Sequence, residues 1–385
     1  MTTASMPGGS VEVEVRDGPD GTVIVAPPGI ATVADGSSAM DTLVLAVTGG
    51  YLSWNLLSGS RIPAAVLDEP ESAQQWIWAV YGEDVALAVD DFAGATLRSA
   101  VRPGLPALAA AAWRLGYAHW AARWWPASAI DSIAALDDRL LAAEIATLTG
   151  ECESLVDGAD ALADADAGEF AAAFATARAE DYALAAGDTD AAAGDAAVLG
   201  RGVGGWDWHR CPPGLLDASE RAVSWEVVRA AGATTVRVRA VAAPGFRGPV
   251  PEYLRPVATV RFAGATATTP LVLTGDHWHG LMPLPDRTGP AALPDSADSR
   301  TPPYSPTPTA GSGPATPAAA SGPDSSPIVA VQVPGIGPAD SISEATLRQR
   351  IRDFAADRLR RAARADDDPY DAPLLAEIAA AEMDF

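Results

Sequence analysis

The stretch PALAAAAWRLGYAHWAARWW, residues 106–125, places Trp113, Tyr117, Trp120 and Trp124 at successive spacings of four, three and four. On an α-helix those spacings gather the four rings within an arc of about 60°. A helix that buries one very wide apolar face follows, and Pro126 ends it. The same window holds Arg114, His119 and Arg123. An Arg at a bilayer centre costs roughly 2.5 to 3.5 kcal/mol on insertion scales, so the window is not read as a membrane span. The stripe is expected to be a buried seam that binds the central helices to their neighbours. Only solvent exposure of Trp113, Trp120 and Trp124 would make it a partner-binding face.

Working outward, a second helix is expected to place Leu140, Leu141, Ile145 and Leu148 on one face, and a third to run from Glu169 to Ala186. Between these two, residues 157–168 are acidic and poor in large apolar side chains. Asp164, Asp166 and Gly168 resemble part of a calcium loop, but the twelfth-position Glu is missing, so the segment is read as a solvated connection.

Upstream, Val11, Val13 and Val15 alternate with charged residues, then Asp17-Gly18-Pro19-Asp20-Gly21 supplies a turn before Thr22–Val25. That is a hairpin. Strands are expected over Thr42–Val47 and Asp84–Val89, with a helix over Ser72–Val80 between them.

Downstream of Gly200 the apolar period changes to two, giving strands over Ala222–Val228, Thr235–Ala242, Pro256–Phe262 and Thr268–Leu273. Arg237 and Arg239 alternate with Val236 and Val238, which implies one wet face and one buried face. Residues 285–327 are rich in Pro, Ser, Thr, Gly and Ala, too poor in large apolar groups to repay their ordering entropy, and are read as a disordered linker.

Beyond it, Ile328–Val333 fits a returning strand. Ser341 and Glu344 have capping-box spacing, and an Arg-rich helix carries Leu347, Ile351, Phe354 and Leu359. Asp366–Asp368 and Pro369 stop it, and a final acidic helix spans Ala372–Met383 with Leu374, Leu375 and Ile378. Their opposite charges suggest that these two helices pair with each other or with separate partners.

The expected class is α+β, in several parts: a mixed α/β region at 1–103, a helical region at 104–200, an antiparallel β region at 201–284, the linker at 285–327, and a C-terminal strand with a helical hairpin at 328–385.

Composition removes whole classes of chemistry. All 26 basic residues are Arg; there is no Lys for a Schiff base, a phosphate loop or a kinase-type site. A formal charge of −24 repels polyanions at long range, so nucleic acid is not an expected partner. The start of the chain lacks the basic and apolar regions of a secretory signal, which points to the cytoplasm. Cys152 and Cys211 are too few for a disulfide framework.

Three constellations could carry chemistry. Gly200-Arg201-Gly202-Val203-Gly204-Gly205 matches a dinucleotide-binding pattern, but Trp206-Asp207-Trp208 and Cys211-Pro212-Pro213 follow where a helix is required. It is read as a flexible interdomain turn. His209 and Cys211, with His277 and His279, could give a tetrahedral N₃S set for zinc, with Asp207 or Asp276 as base for hydrolysis by a metal-activated water. Trp206, Trp208 and Trp278 could instead form an aromatic ligand face, with Asp207 and Asp276 orienting hydroxyl groups.

The leading expectation is a non-enzymatic cytoplasmic interaction or adaptor protein without a cofactor. It would contact protein partners within a larger assembly through Leu347, Ile351, Phe354 and Leu375 of the C-terminal helices. A zinc-dependent hydrolase and a small-ligand-binding β module are the alternatives.

Overall fold

A computed structural model describes residues 11–30, 32, 40–156, 197–211, 214–246, 249–262, 265–284, 327–337, 344–364 and 370–382. The acidic connection, the third helix, nearly all of the linker, Ser341, residues 366–369 and Met383 lie outside the described residues.

The chain is α+β. The N-terminal hairpin pairs β1 (Glu12–Asp17) with β2 (Val23–Ala26), and Asp20 and Gly21 turn it with φ of 54° and 82°. Val13 and Val15 point into the core while Glu14 meets Arg98 at 2.8 Å on the wet side. The hairpin belongs to a six-stranded antiparallel sheet with β3 (Thr42–Val47), β4 (Gly50–Asn55), β5 (Ala64–Leu67) and β6 (Leu97–Ala100), in the order β3-β4-β5-β2-β1-β6.

Helix α1 spans Pro70–Tyr81, and α2 spans Glu83–Asp90. The expected strand over Asp84–Val89 is therefore corrected to a helix. Its Val85, Leu87 and Val89 alternate as in a strand, but Val85 and Val89 also lie four apart, and these two are buried while Leu87 is exposed. Gly82, with φ of 101°, turns the chain from α1 directly into α2.

Helix α3 (Pro106–Trp124) crosses the six-stranded sheet beside β3. Gly116 permits the close approach, since a Cβ there would sit 3.3 Å from the Trp54 ring. Trp120 Nε1 donates to Met40 O at 2.7 Å. Helix α4 (Asp138–Glu151) packs alongside α3, its first turn capped by the Asp137 carboxylate.

A five-stranded antiparallel sheet runs β12-β13-β9-β8-β7, from β7 (Ala197–Gly204), β8 (Val223–Ala230), β9 (Ala233–Val241), β12 (Val272–Thr274) and β13 (His277–Leu284). The glycine-rich turn expected at 200–205 is thus largely strand. Gly202 lies opposite Trp225, and a Cβ on it would fall 2.4 Å from the indole; glycine is what lets β7 pair under that ring. A three-stranded sheet joins β10 (Val257–Phe262) to β11 (Ala265–Pro270) and to β14 (Ile328–Gln332). The β regions of the two ends of the chain therefore form separate sheets.

From β14 the chain passes Arg210, whose carbonyl accepts from Val333 N at 2.8 Å, to α5 (Ala345–Ala362) and α6 (Leu375–Glu382). The C-terminal helices are not a detached module. Phe354 of α5 meets Tyr117 and Trp120 edge-on, with centroids 6.1 and 6.2 Å apart. Trp113, Tyr117 and Trp120 are at most 4% exposed, stacked at 5.3 and 5.8 Å, so the stripe is the expected buried seam. Trp124, half-buried, packs instead against His209 at 5.3 Å.

Candidate functional site

The C-terminal helices dock with charge on the inside. Arg348, Arg352 and Arg358 of α5 are 4%, 2% and 1% exposed. Arg348 grips both oxygens of Glu220, at 2.6 and 2.9 Å. Arg352 donates to the same carboxylate at 3.2 Å and to Ala218 O at 3.0 Å. Burial alone would raise the Glu220 pKa, but the hydrogen bonds and charges of these two guanidiniums outweigh it and hold the carboxyl below its usual range.

Deeper in, Arg358 forks onto Glu377 of α6 at 3.0 and 2.6 Å and caps the carbonyls of Asp371 and Ala372. Glu377, 0% exposed, also accepts from Tyr117 Oη at 2.6 Å and from Leu374 N at 2.8 Å. Of the two expected alternatives, pairing with each other is met by Arg358 and Glu377. Burial, followed by the Glu377 charge, pushes the Tyr117 phenol well up, which leaves it a committed donor. Glu144 joins α4 to the same cluster by accepting from Arg114 Nη2 at 2.9 Å and Leu375 N at 2.7 Å. With their oxygens engaged by these donors, Glu377 and Glu144 tie α3, α4, α5 and α6 together.

A second polar knot went unread in the sequence. Asp217, fully buried, accepts from Ser128 Oγ and Ala129 N at 2.7 Å and from Ser219 N at 2.9 Å, tying the loop after α3 to the strand region. Its own carbonyl accepts from Trp206 Nε1 at 2.7 Å. Only contact in space makes Asp217 special; nothing adjacent in sequence marks it.

The proposed metal ligands are not brought together. Among the described residues, no group of three or more His, Cys, Asp or Glu side chains is placed to hold a metal ion. His209 sits in a short 3₁₀ turn capped by Asp207, with Nε2 3.9 Å from Glu344 Oε2. Cys211 is buried, and burial pushes its thiol well up. His277 and His279 share one side of β13, at 6.1 Å between centroids, and His277 is hydrogen-bonded to the exposed Asp276.

The three tryptophans of the expected aromatic ligand face are buried. Trp206, Trp208 and Trp278 are 6%, 5% and 2% exposed, and Trp278 Nε1 donates to Leu215 O at 3.1 Å. They fill the core beneath the five-stranded sheet, as amphipathic indoles do when their N–H finds a partner.

Comparison with known proteins returns no result on three counts. No family model, no curated protein and no solved structure matches the chain. Function must therefore be argued from surfaces.

The partner residues expected on α5 and α6 are mostly committed inward. Ile351 is 0% exposed, Leu347 and Phe354 are half-buried against the core, and Leu375 alone of the four is open at 55%. The conspicuous open apolar surface is on β7, the last strand of its sheet. There Val198, Leu199 and Val203 are 58%, 56% and 63% exposed, and among the described residues no strand pairs with its outer edge. No helix among the described residues is long and apolar enough to cross a membrane.

Proposed function

We propose that this chain is a cytoplasmic, non-enzymatic interaction or adaptor protein that holds a protein partner within a larger assembly by the open side of its five-stranded sheet. The observation that carries this reading is the β7 edge. An eight-residue strand with an unpaired row of backbone groups and three exposed aliphatic side chains is what strand addition uses, backbone hydrogen bonds giving affinity and side chains giving selectivity. Natural edges are normally blunted by charge, Pro or a covering element. Within β7 only Arg201 does so.

In this reading α5 and α6 brace the body, and the seam they close is what keeps Trp113 and Trp120 from solvent. Co-purification from the source cell with the native chain and with a Val198→Glu, Val203→Glu double variant tests the proposal. Loss of specific partners with an unchanged circular dichroism spectrum is expected; an unchanged partner list would count against it.

A further inference from the structure

The outward face of the five-stranded sheet is cationic, in a chain whose formal charge is −24. Register places its side chains in two rows. Arg201, Glu226, Arg237 and Leu281 lie opposite one another across β7, β8, β9 and β13. Val203, Ser224, Arg239, His279 and Val272 form the next row, ending on β12. Directly opposed residues share a face, and the intervening Val236, Val238, Trp278 and Met282 are buried on the other side.

Arg201, Arg237 and Arg239 are all exposed, and among the described residues none of them is in an ion pair. This contrasts with Arg348, Arg352 and Arg358 of α5, which pair with Glu220 and Glu377. The single opposing carboxylate within the rows, Glu226, leaves the face net positive. Burial, then the charges of Arg239, His277 and Arg237, press the His279 pKa below the usual histidine value against the opposing charge of Asp276. Open aliphatic side chains border the charge, with Val203, Leu281 and Val272 63%, 60% and 64% exposed.

We infer that this face binds an acidic polypeptide segment in extended form, with carboxylates at alternate positions meeting Arg237 and Arg239. The inference rests on the β7 reading and names the chemistry of its partner. Spacing supports it: residues two apart on β9 stand about 6.8 Å apart, the same repeat as alternate residues of an extended ligand. A nucleic acid fits less well. Binding of single strands uses aromatic stacking platforms, and the rows carry aliphatic groups and no Phe, Tyr or Trp. The chain's overall charge also repels a long polyanion.

The test uses the full chain and fluorescence anisotropy of three dye-labelled probes: a peptide of alternating Asp and Val, its Asn-Val counterpart, and a short single-stranded oligonucleotide. Saturable binding of the acidic peptide is expected, weakened about tenfold or more by the exposed-site variant Arg237→Glu, Arg239→Glu. It should also weaken as salt is raised from about 0.1 to 1 M, where the Debye length falls from roughly 10 to 3 Å. No saturable binding of the acidic peptide, an unaltered affinity in the variant, or equal or tighter binding of the oligonucleotide would overturn the inference. Equal binding of the Asn-Val peptide would overturn it too, while leaving the β7 edge intact as a docking strand.

Discussion

Replacing Arg358 by Leu should be among the most damaging single substitutions in the chain. The change removes two hydrogen bonds to Glu377, at 3.0 and 2.6 Å, and the donors to Asp371 O and Ala372 O at 3.0 and 3.2 Å. Glu377 stays 0% exposed with only Tyr117 Oη and Leu374 N to solvate its charge. The guanidinium's position over the Tyr117 ring, 4.9 Å from its centroid, is also lost.

Removing one partner of a buried pair typically costs about 3 to 5 kcal/mol, because the other is left as an uncompensated charge. Against a net folding stability of about 5 to 15 kcal/mol, that is a large share. Urea unfolding followed by tryptophan fluorescence measures it, since Trp113 and Trp120 flank the cluster. Glu377→Gln should cost a similar amount, and the double variant should cost less than the sum of the singles by roughly 1 to 3 kcal/mol. A cost for Arg358→Leu under about 1 kcal/mol, or strictly additive singles, would refute the view that this pair clamps α5 and α6 to α3.

Three further outcomes follow from the same geometry. Glu220 is held below the ordinary carboxylate range in the folded chain, so its contribution is present above that range and is lost as pH falls through its lowered pKa; Glu220→Gln should flatten the acid limb of a stability–pH curve, and an unchanged limb would contradict the assignment. Cys152, with its thiol pushed up to about 12, and Cys211, pushed higher still, are both buried, so neither should react with a disulfide reagent at mildly alkaline pH until denaturant is added. Stoichiometric labelling of the native chain would show otherwise. Gly202→Val drives its side chain into the Trp225 indole and should cost about 1 to 3 kcal/mol by overpacking, a penalty that Trp225→Ala should relieve and that would disappear altogether if residues 200–205 were a free turn.

Periodicity made the hairpin, the strand faces and the aromatic seam legible, because each is a local pattern that one core-facing surface imposes. It failed where two periods coincide. Val85, Leu87 and Val89 satisfy both two and, through Val85 and Val89, four, and only the packing of α2 on α1 decides between them. The glycines of β7 looked like a turn because the reason for them, the Trp225 ring, lies on another strand. Strands β4, β5 and β6 went unread for a related reason. β5 and β6 have four residues each, β5 is buried at every position, and β4 buries Leu52, Ser53 and Trp54 in a row, which hides the alternation.

The candidate sites fared according to how far they depended on distance in space. Sequence could offer His209, Cys211, His277 and His279 as ligands but could not place two segments relative to each other, and the structure spends His209 on Trp124 and buries Cys211. The arginines of the last long helix were visible as a run; that three of them face inward depends on Glu220 and Glu377, far away in sequence. The cationic sheet face was half-legible, since Arg237 and Arg239 already marked the wet side of their strand. Arg201 joins them only through pairing of β7 with β8.

Amide hydrogen exchange on the full chain measures directly whether the C-terminal helices are sealed onto the aromatic seam while the β7 edge stands open. Slow, concerted exchange of Trp113–Trp120 and Ile351–Leu359 is predicted, with fast exchange at alternate amides of Val198–Val203 in the free chain. Exchange of α5 within seconds while α3 stays protected, or full protection of β7 in the free chain, would contradict it.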